Sequence, residues 1–291
     1  MSVSRAGARA KQCALRAVCV LAALVCLAPT SQAEPLFNGR DLSGWDTYLG
    51  VPEVPRFPFD PFGNWPAPIG RGQDTNGVYS VVEEDGAPAI RISGEIWGAL
   101  ISQREFENYH LSLEYKWGDE RFAPRDEAPR NTGLLYHSVG PDGAFWSYWM
   151  RSAEFEIMEG RTGDFTSVDG VTGISSTEWD SSAGLPWQRY SSAGSETELG
   201  AAVFRVSASR DFEKPSGEWN QLDLFVYRDT AVHRVNGETV FAVERLQHEV
   251  DGAMAPLTKG ALQIQSEGAE VFFRNIELKP IDSLVGAAER R

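Results

Sequence analysis

Glu154-Phe155-Glu156-Ile157-Met158-Glu159 is the densest concentration of possible chemistry in this 291-residue chain. It follows an aromatic run, Phe145-Trp146-Ser147-Tyr148-Trp149. In a strand, alternate side chains share a face. Phe155 and Ile157 are then expected in a core, with Glu154 and Glu156 on the opposite face, about 6.5–7 Å apart. A bulge near Met158 would bring Glu159 to that face as well. Crowded carboxylates raise one another's pKa, so that one becomes an acid while its neighbour stays a base. The bland alternative is a solvated strand face in an acidic protein.

A second group is Asn131-Thr132-Gly133-Leu134-Leu135-Tyr136-His137. Alternation puts Leu135 and His137 on one face and Tyr136 on the other. Histidine holds a proton near neutral pH, which makes His137 a candidate acid. His110, His233 and His248 are scattered without metal-ligand spacing, against a histidine zinc site. A calcium site of carboxylates and carbonyls stays open, and no other cofactor is expected. The chain carries no phosphate loop, no dinucleotide fingerprint and no nucleophile elbow.

The elements that must position these groups are strands. Short alternating segments rich in β-branched and aromatic residues recur from Gly77–Val82 to Glu270–Leu278, and no helical period is sustained. Asn236-Gly237 between two such runs is a hairpin signal. The expected class is all-β, a single jelly-roll β-sandwich. Two stretches break the rhythm and are expected as long loops: Val51–Gly72, rich in proline and phenylalanine, and the Ser- and Gly-rich stretch from Asp164 to about Val203. Loops of this kind roof a cleft or pack as surface insertions.

The first 33 residues read as a signal peptide. Arg5, Arg9, Lys11 and Arg16 precede an uncharged apolar run from Ala17 to Ala28 and a small-x-small end at Ser31-Gln32-Ala33. Twelve helical residues would rise about 18 Å against a hydrocarbon core of about 30 Å, too short for an anchor. The expected layout is therefore a signal peptide at 1–33, the sandwich at 34–282 and a frayed tail at 283–291. Cys13, Cys19 and Cys26 all fall in the signal segment, so no disulfide or thiolate is expected in the mature protein. Removing its four cations takes the net charge from −14 to about −18, a surface that repels nucleic acid and anionic lipid. The protein is expected in the periplasm or secreted, with no membrane insertion after cleavage.

Leu36-Phe37-Asn38-Gly39-Arg40-Asp41-Leu42-Ser43-Gly44-Trp45 resembles the opening motif of the 3-keto-disaccharide hydrolase domain family. Asn131–His137, Glu154–Gly160, Gly217-Glu218-Trp219-Asn220 and Phe273-Arg274-Asn275-Ile276 resemble further blocks of that family in the same order, and His233–Gly237 resembles its His-x-x-Asn-Gly hairpin. The resemblance implies a concanavalin A-like jelly roll, exported and acting on glycosides already oxidised at carbon 3. It also implies a separate oxidase or dehydrogenase upstream. One departure bears on mechanism: where the family often has Glu-x-Gln, this chain has Glu154-Phe155-Glu156. An amide there binds sugar, whereas a carboxylate can act as a base.

A 3-keto group acidifies the neighbouring C2 proton, so cleavage needs a base, an acid for the leaving oxygen and a donor for the enolate. The candidates are Glu154 or Glu156 as base, Glu159 or His137 as acid, Asn131 or Arg151 near the oxyanion, and Tyr148 and Trp149 stacked on the sugar. Two alternatives stand beside this. Glu154 and Glu159 also resemble the carboxylate pair of laminarinase-type retaining hydrolases. The same aromatics would also serve a non-catalytic carbohydrate-binding module.

Overall fold

The computed structural model describes residues 32–52, 66–181 and 187–285. Nearly all of the expected signal segment, with its three cysteines, lies outside the described residues. So do most of the first expected loop (53–65) and the last six residues of the tail.

Among the described residues the regular structure is entirely β. In chain order the strands are β1 (Glu34–Pro35), β2 (Trp45–Leu49), β3 (Gly70–Arg71), β4 (Tyr79–Glu84), β5 (Ala87–Ile92), β6 (Gly98–Phe106) and β7 (Tyr109–Arg121). Then come β8 (Asn131–Val139), β9 (Arg151–Met158), β10 (Phe165–Val168), β11 (Thr172–Asp180), β12 (Trp187–Tyr190), β13 (Ser195–Leu199) and β14 (Arg205–Val206). The last are β15 (Asn220–Tyr227), β16 (Thr230–Val235), β17 (Glu238–Val250), β18 (Ala253–Pro256), β19 (Gly260–Ser266) and β20 (Ala269–Pro280).

They form two antiparallel sheets. One runs β12-β11-β17-β16-β15-β7-β20-β5-β4, with β1, β13 and β18 attached beside it; the other runs β14-β10-β9-β8-β19-β6-β2-β3. Strict alternation makes the first sheet two-faced: in β15, Leu222, Leu224 and Val226 are buried while Gln221, Asp223 and Phe225 are not. These residues, with Leu111, Leu113 and Tyr115 of β7, join one core with Leu134, Tyr136, Phe155, Ile157, Leu262 and Ile264 of the second sheet. Each such aliphatic or aromatic side chain contributes about 1.5–3 kcal/mol on burial, enough for a β-sandwich to stand without a crosslink.

The second sheet is buried on both faces along β8 and β19. Its far face carries a second apolar cluster in which Trp97, Ala99, Ile101 and Leu135 support Tyr148 and Trp149. That cluster is the foundation of the site described below.

Two expectations are corrected. The stretch from Asp164 to about Val203 is not a long loop: it supplies β10, β11, β12 and β13. Its inward positions on β11 are Gly173, Ser175 and Thr177, and the two hydroxyls bond the Ala242 carbonyl at 2.7 Å and the Gln188 side chain at 2.6 Å. Small hydroxyl side chains satisfied in this way leave no hydrophobic period to read. His137 does not share a face with Leu135 either. A bulge between Tyr136 and Val139, with His137 at φ 52°, turns its ring toward Tyr109 and Tyr136 on the core side. The Asn236-Gly237 turn is as expected, with φ 51° and 88° joining β16 to β17.

Candidate active site

Glu154 and Glu156 project from β9 on the face opposite Phe155 and Ile157, as alternation requires. They are 4% and 1% exposed, and both line a cavity of about 540 Å³. The pairing of neighbouring strands assembles the floor. Glu154 lies opposite Leu135 of β8 and Thr166 of β10, and Thr166 lies opposite Arg205 of β14. Glu154, Thr166 and Arg205 thus form one row across three strands, with Glu156 one pleat away beside Gly133.

Arg205 donates through Nη2 to the Glu156 carboxylate and through Nε to the Thr166 hydroxyl at 3.3 Å. Thr166 donates to the same Glu156 oxygen at 2.9 Å. The other end of the floor holds a second buried ion pair, Arg125 to Glu267 at 3.1 Å. Asn131 and Gln265 fill the space between the two pairs. Four carboxyls, those of Glu154, Glu156, Glu267 and Asp169, and two guanidiniums therefore share one cavity. Burial, then the charges of Glu156 and Glu267, push the Glu154 carboxyl well above the usual range. Burial likewise raises Glu267 against the opposing pull of Arg125. Behind the floor, burial lifts Asp164 to about 6, although it accepts from Arg161 at 2.7 Å and the Ala208 amide at 2.8 Å.

An aromatic wall rises from the second apolar cluster. Trp149 stacks on Trp97 with centroids 5.8 Å apart and donates to the Gly98 carbonyl at 3.0 Å. Phe145 stacks on Trp146 at 4.2 Å, and the backbone of Phe145 closes on Trp149 in a tight turn. Phe204 also lines the cavity, with half of its surface open to solvent (52%).

Of the residues singled out in the sequence, Glu154, Glu156, Asn131 and Trp149 meet in this cavity. The others lie elsewhere. Glu159 sits in the turn after β9, where Arg130 grips it at 2.8 Å and Arg121 at 3.4 Å. His137 is buried at the core side, and burial lowers it to about 4, too low to carry a proton near neutral pH. Tyr148 is packed edge-on against Trp97 in the supporting cluster. Arg151 is spent on Asp169 and the Glu249 carbonyl. The laminarinase-like pairing needs Glu159 beside Glu154 in one cleft, and Glu159 is not among the cavity's lining residues. Among the described residues, no group of three or more His, Cys, Asp or Glu converges in metal-binding geometry.

Sequence reading missed Arg205, Arg125, Glu267, Gln265 and Phe204. Only Gln265 left a signal: Gln263 and Gln265 alternate with Leu262 and Ile264, the mark of a strand with one polar face.

The family profile of the 3-keto-alpha-glucoside-1,2-lyase-like domain matches residues 32–279, nearly all of the described structure. The chain belongs to this family. As a member of the 3-keto-alpha-glucoside-1,2-lyase-like family it has a carbohydrate-active role. A search of curated proteins returns no match. Solved structures of similar shape include two glycosyl-hydrolase candidates from Parabacteroides distasonis ATCC 8503. One has TM-score 0.48 at 19% identity, covering 86% of this chain and 94% of its own. The other has TM-score 0.47 at 17% identity, covering 86% and 100%. A Bacillus subtilis protein of unknown function with a galectin-like fold has TM-score 0.43 at 8% identity, covering 69% and 86%.

Proposed function

We propose that the protein is an exported enzyme that cleaves the glycosidic bond of 3-keto-glycosides, with Glu156 as base and Glu154 as acid. The observation that carries this is a buried glutamate pair in unequal surroundings. Glu156 is paired with Arg205, while Glu154 has its pKa raised by burial and by its neighbours. Two carboxyls in such different surroundings are suited to opposite roles.

The carbonyl at C3 acidifies the C2–H bond. Glu156 takes that proton, and the electron pair moves into the enolate. The C1–O bond then breaks as Glu154 gives its proton to the leaving oxygen. Arg205 and Arg125, both lining the cavity, are the donors available to the enolate oxygen. Hydration reverses the sense: water gives hydroxide to C1 and a proton to Glu154, and Glu156, its proton exchanged with solvent meanwhile, protonates C2. Trp149, Trp146 and Phe204 provide faces for the sugar ring. No cofactor takes part in these steps. The ketone must come from a separate oxidising enzyme, which would share the periplasmic or extracellular compartment that cleavage after Ala33 implies.

The test is to assay a 3-keto-glucoside beside its unoxidised parent. Cleavage of the ketone alone is expected, with loss of C2 deuterium to solvent. Equal cleavage of both, or of neither, overturns the reading.

A further inference from the structure

Gln265 presents an unusual contact. Its side-chain oxygen is buried and accepts no hydrogen bond. A buried acceptor without a donor costs about 1–3 kcal/mol. On β8, Gly133 comes next in register after the Leu134–Ile264 pair, so Gln265 crosses above it from β19, while Glu154 reaches the same point diagonally from β9. A Cβ placed on Gly133 would lie 2.4 Å from Gln265 Oε1 and 2.4 Å from Glu154 Oε1. The two oxygens therefore share the space over the one residue of the strand that has no side chain. Gln265 is held there firmly, because the Thr132 hydroxyl donates to its main-chain carbonyl at 2.7 Å.

Two oxygens facing each other without a hydrogen repel. A proton between them turns the contact into a hydrogen bond and supplies the donor that Oε1 lacks. We infer that Gln265 is a positioning residue that holds the acid proton on Glu154, the carboxyl O–H donating to the Gln265 side-chain oxygen over Gly133. The amide N–H₂ of the same side chain also donates toward the Glu154 carboxyl, which by itself favours the anion but is the smallest of the influences on it. The charges around the pair favour its neutral form, since Glu156 and Glu267 both oppose a further anion. The inference rests on the reading of Glu154 as the acid. It also gives the Asn131-Thr132-Gly133 block a purpose: Thr132 anchors the Gln265 main chain and Gly133 leaves the gap.

The test has a readout independent of turnover. Infrared difference spectra at pH 7, wild type minus Glu154→Gln, should show the carbonyl band of a protonated carboxyl. In Gln265→Met, which keeps the shape and removes the acceptor, that band should shift to the higher frequency of an unbonded acid. Gly133→Ala displaces two flexible side-chain ends rather than backbone, and should produce the same shift in a folded protein. Against a 3-keto-glucoside, both variants should lose about tenfold or more in kcat, with KM little changed. No band attributable to Glu154, or a band unmoved by either substitution, overturns the inference. If the wild type shows the band and its shift but cleaves no 3-keto sugar, the proposed reaction falls while the proton's position stands.

Discussion

Arg205 donates to a carboxylate oxygen of Glu156 across 49 positions of sequence, and Thr166 donates to that same oxygen. The pair is almost sealed: Glu156 is 1% exposed and the Arg205 side chain 18%. Removing one partner of such a pair leaves a buried charge alone, which costs about 3–5 kcal/mol. Arg205→Met is expected to lose stability of that order in urea titration and to abolish turnover. Glu156→Gln retains an acceptor for Arg205, so it should lose turnover with a smaller stability loss.

Glu154 gives a stability signature of opposite sign to that of an ordinary ion-paired glutamate. Its folded pKa is raised, while in the unfolded chain it ionises near 4.3. The folded state then binds the proton more tightly, and stability falls as pH rises above the unfolded value. Glu154→Gln removes this cost. Thermal melts should find the variant close to wild type near pH 4 and more stable than wild type at pH 7.5, although inactive.

Glu159 and His137 are expected to be dispensable for the chemistry. The Glu159 carboxylate is partly exposed in its bridges to Arg130 and Arg121, and pairs of this kind contribute about 0.2–1 kcal/mol. Glu159→Gln should keep most of the wild-type kcat, whereas a retaining mechanism using Glu159 predicts near-complete loss. Burial lowers His137 to about 4, so its ring should show no titration between pH 5 and 8 by NMR.

Phe204 offers an open aromatic face at the cavity mouth and has little packing to lose. Stacking of this sort is worth about 0.5–1.5 kcal/mol. Phe204→Ala should raise KM up to about tenfold with no change in Tm. Unchanged KM would mean that the sugar does not pass over this residue.

The period-2 pattern of Glu154–Met158 was readable in the sequence because it is local. Facing Phe155 and Ile157 inward puts Glu154 and Glu156 on the other side, whatever the rest of the chain does. The all-β class and the Asn236-Gly237 turn were legible for the same reason, each depending on residues within a few positions. The Asp164–Val203 strands were not, because their buried positions include small hydroxyl residues whose fit depends on distant partners. His137 was misplaced by one bulge, since a single added residue reverses every later side chain.

What the sequence by itself determined is therefore the sandwich, the family and two of the four carboxyls in the cavity. Strand register and the turns it brings together decided the rest. They brought Arg205 to Glu156, seated Gln265 over Gly133 and added Glu267 with Arg125, while leaving Glu159 and Arg151 in structural bridges. The physical reason is that an antiparallel sheet joins residues far apart in the chain through backbone hydrogen bonds, which are the same for every side chain. Side-chain type reports which face a residue takes, but which residue lies across from it is set only when the whole sheet has closed.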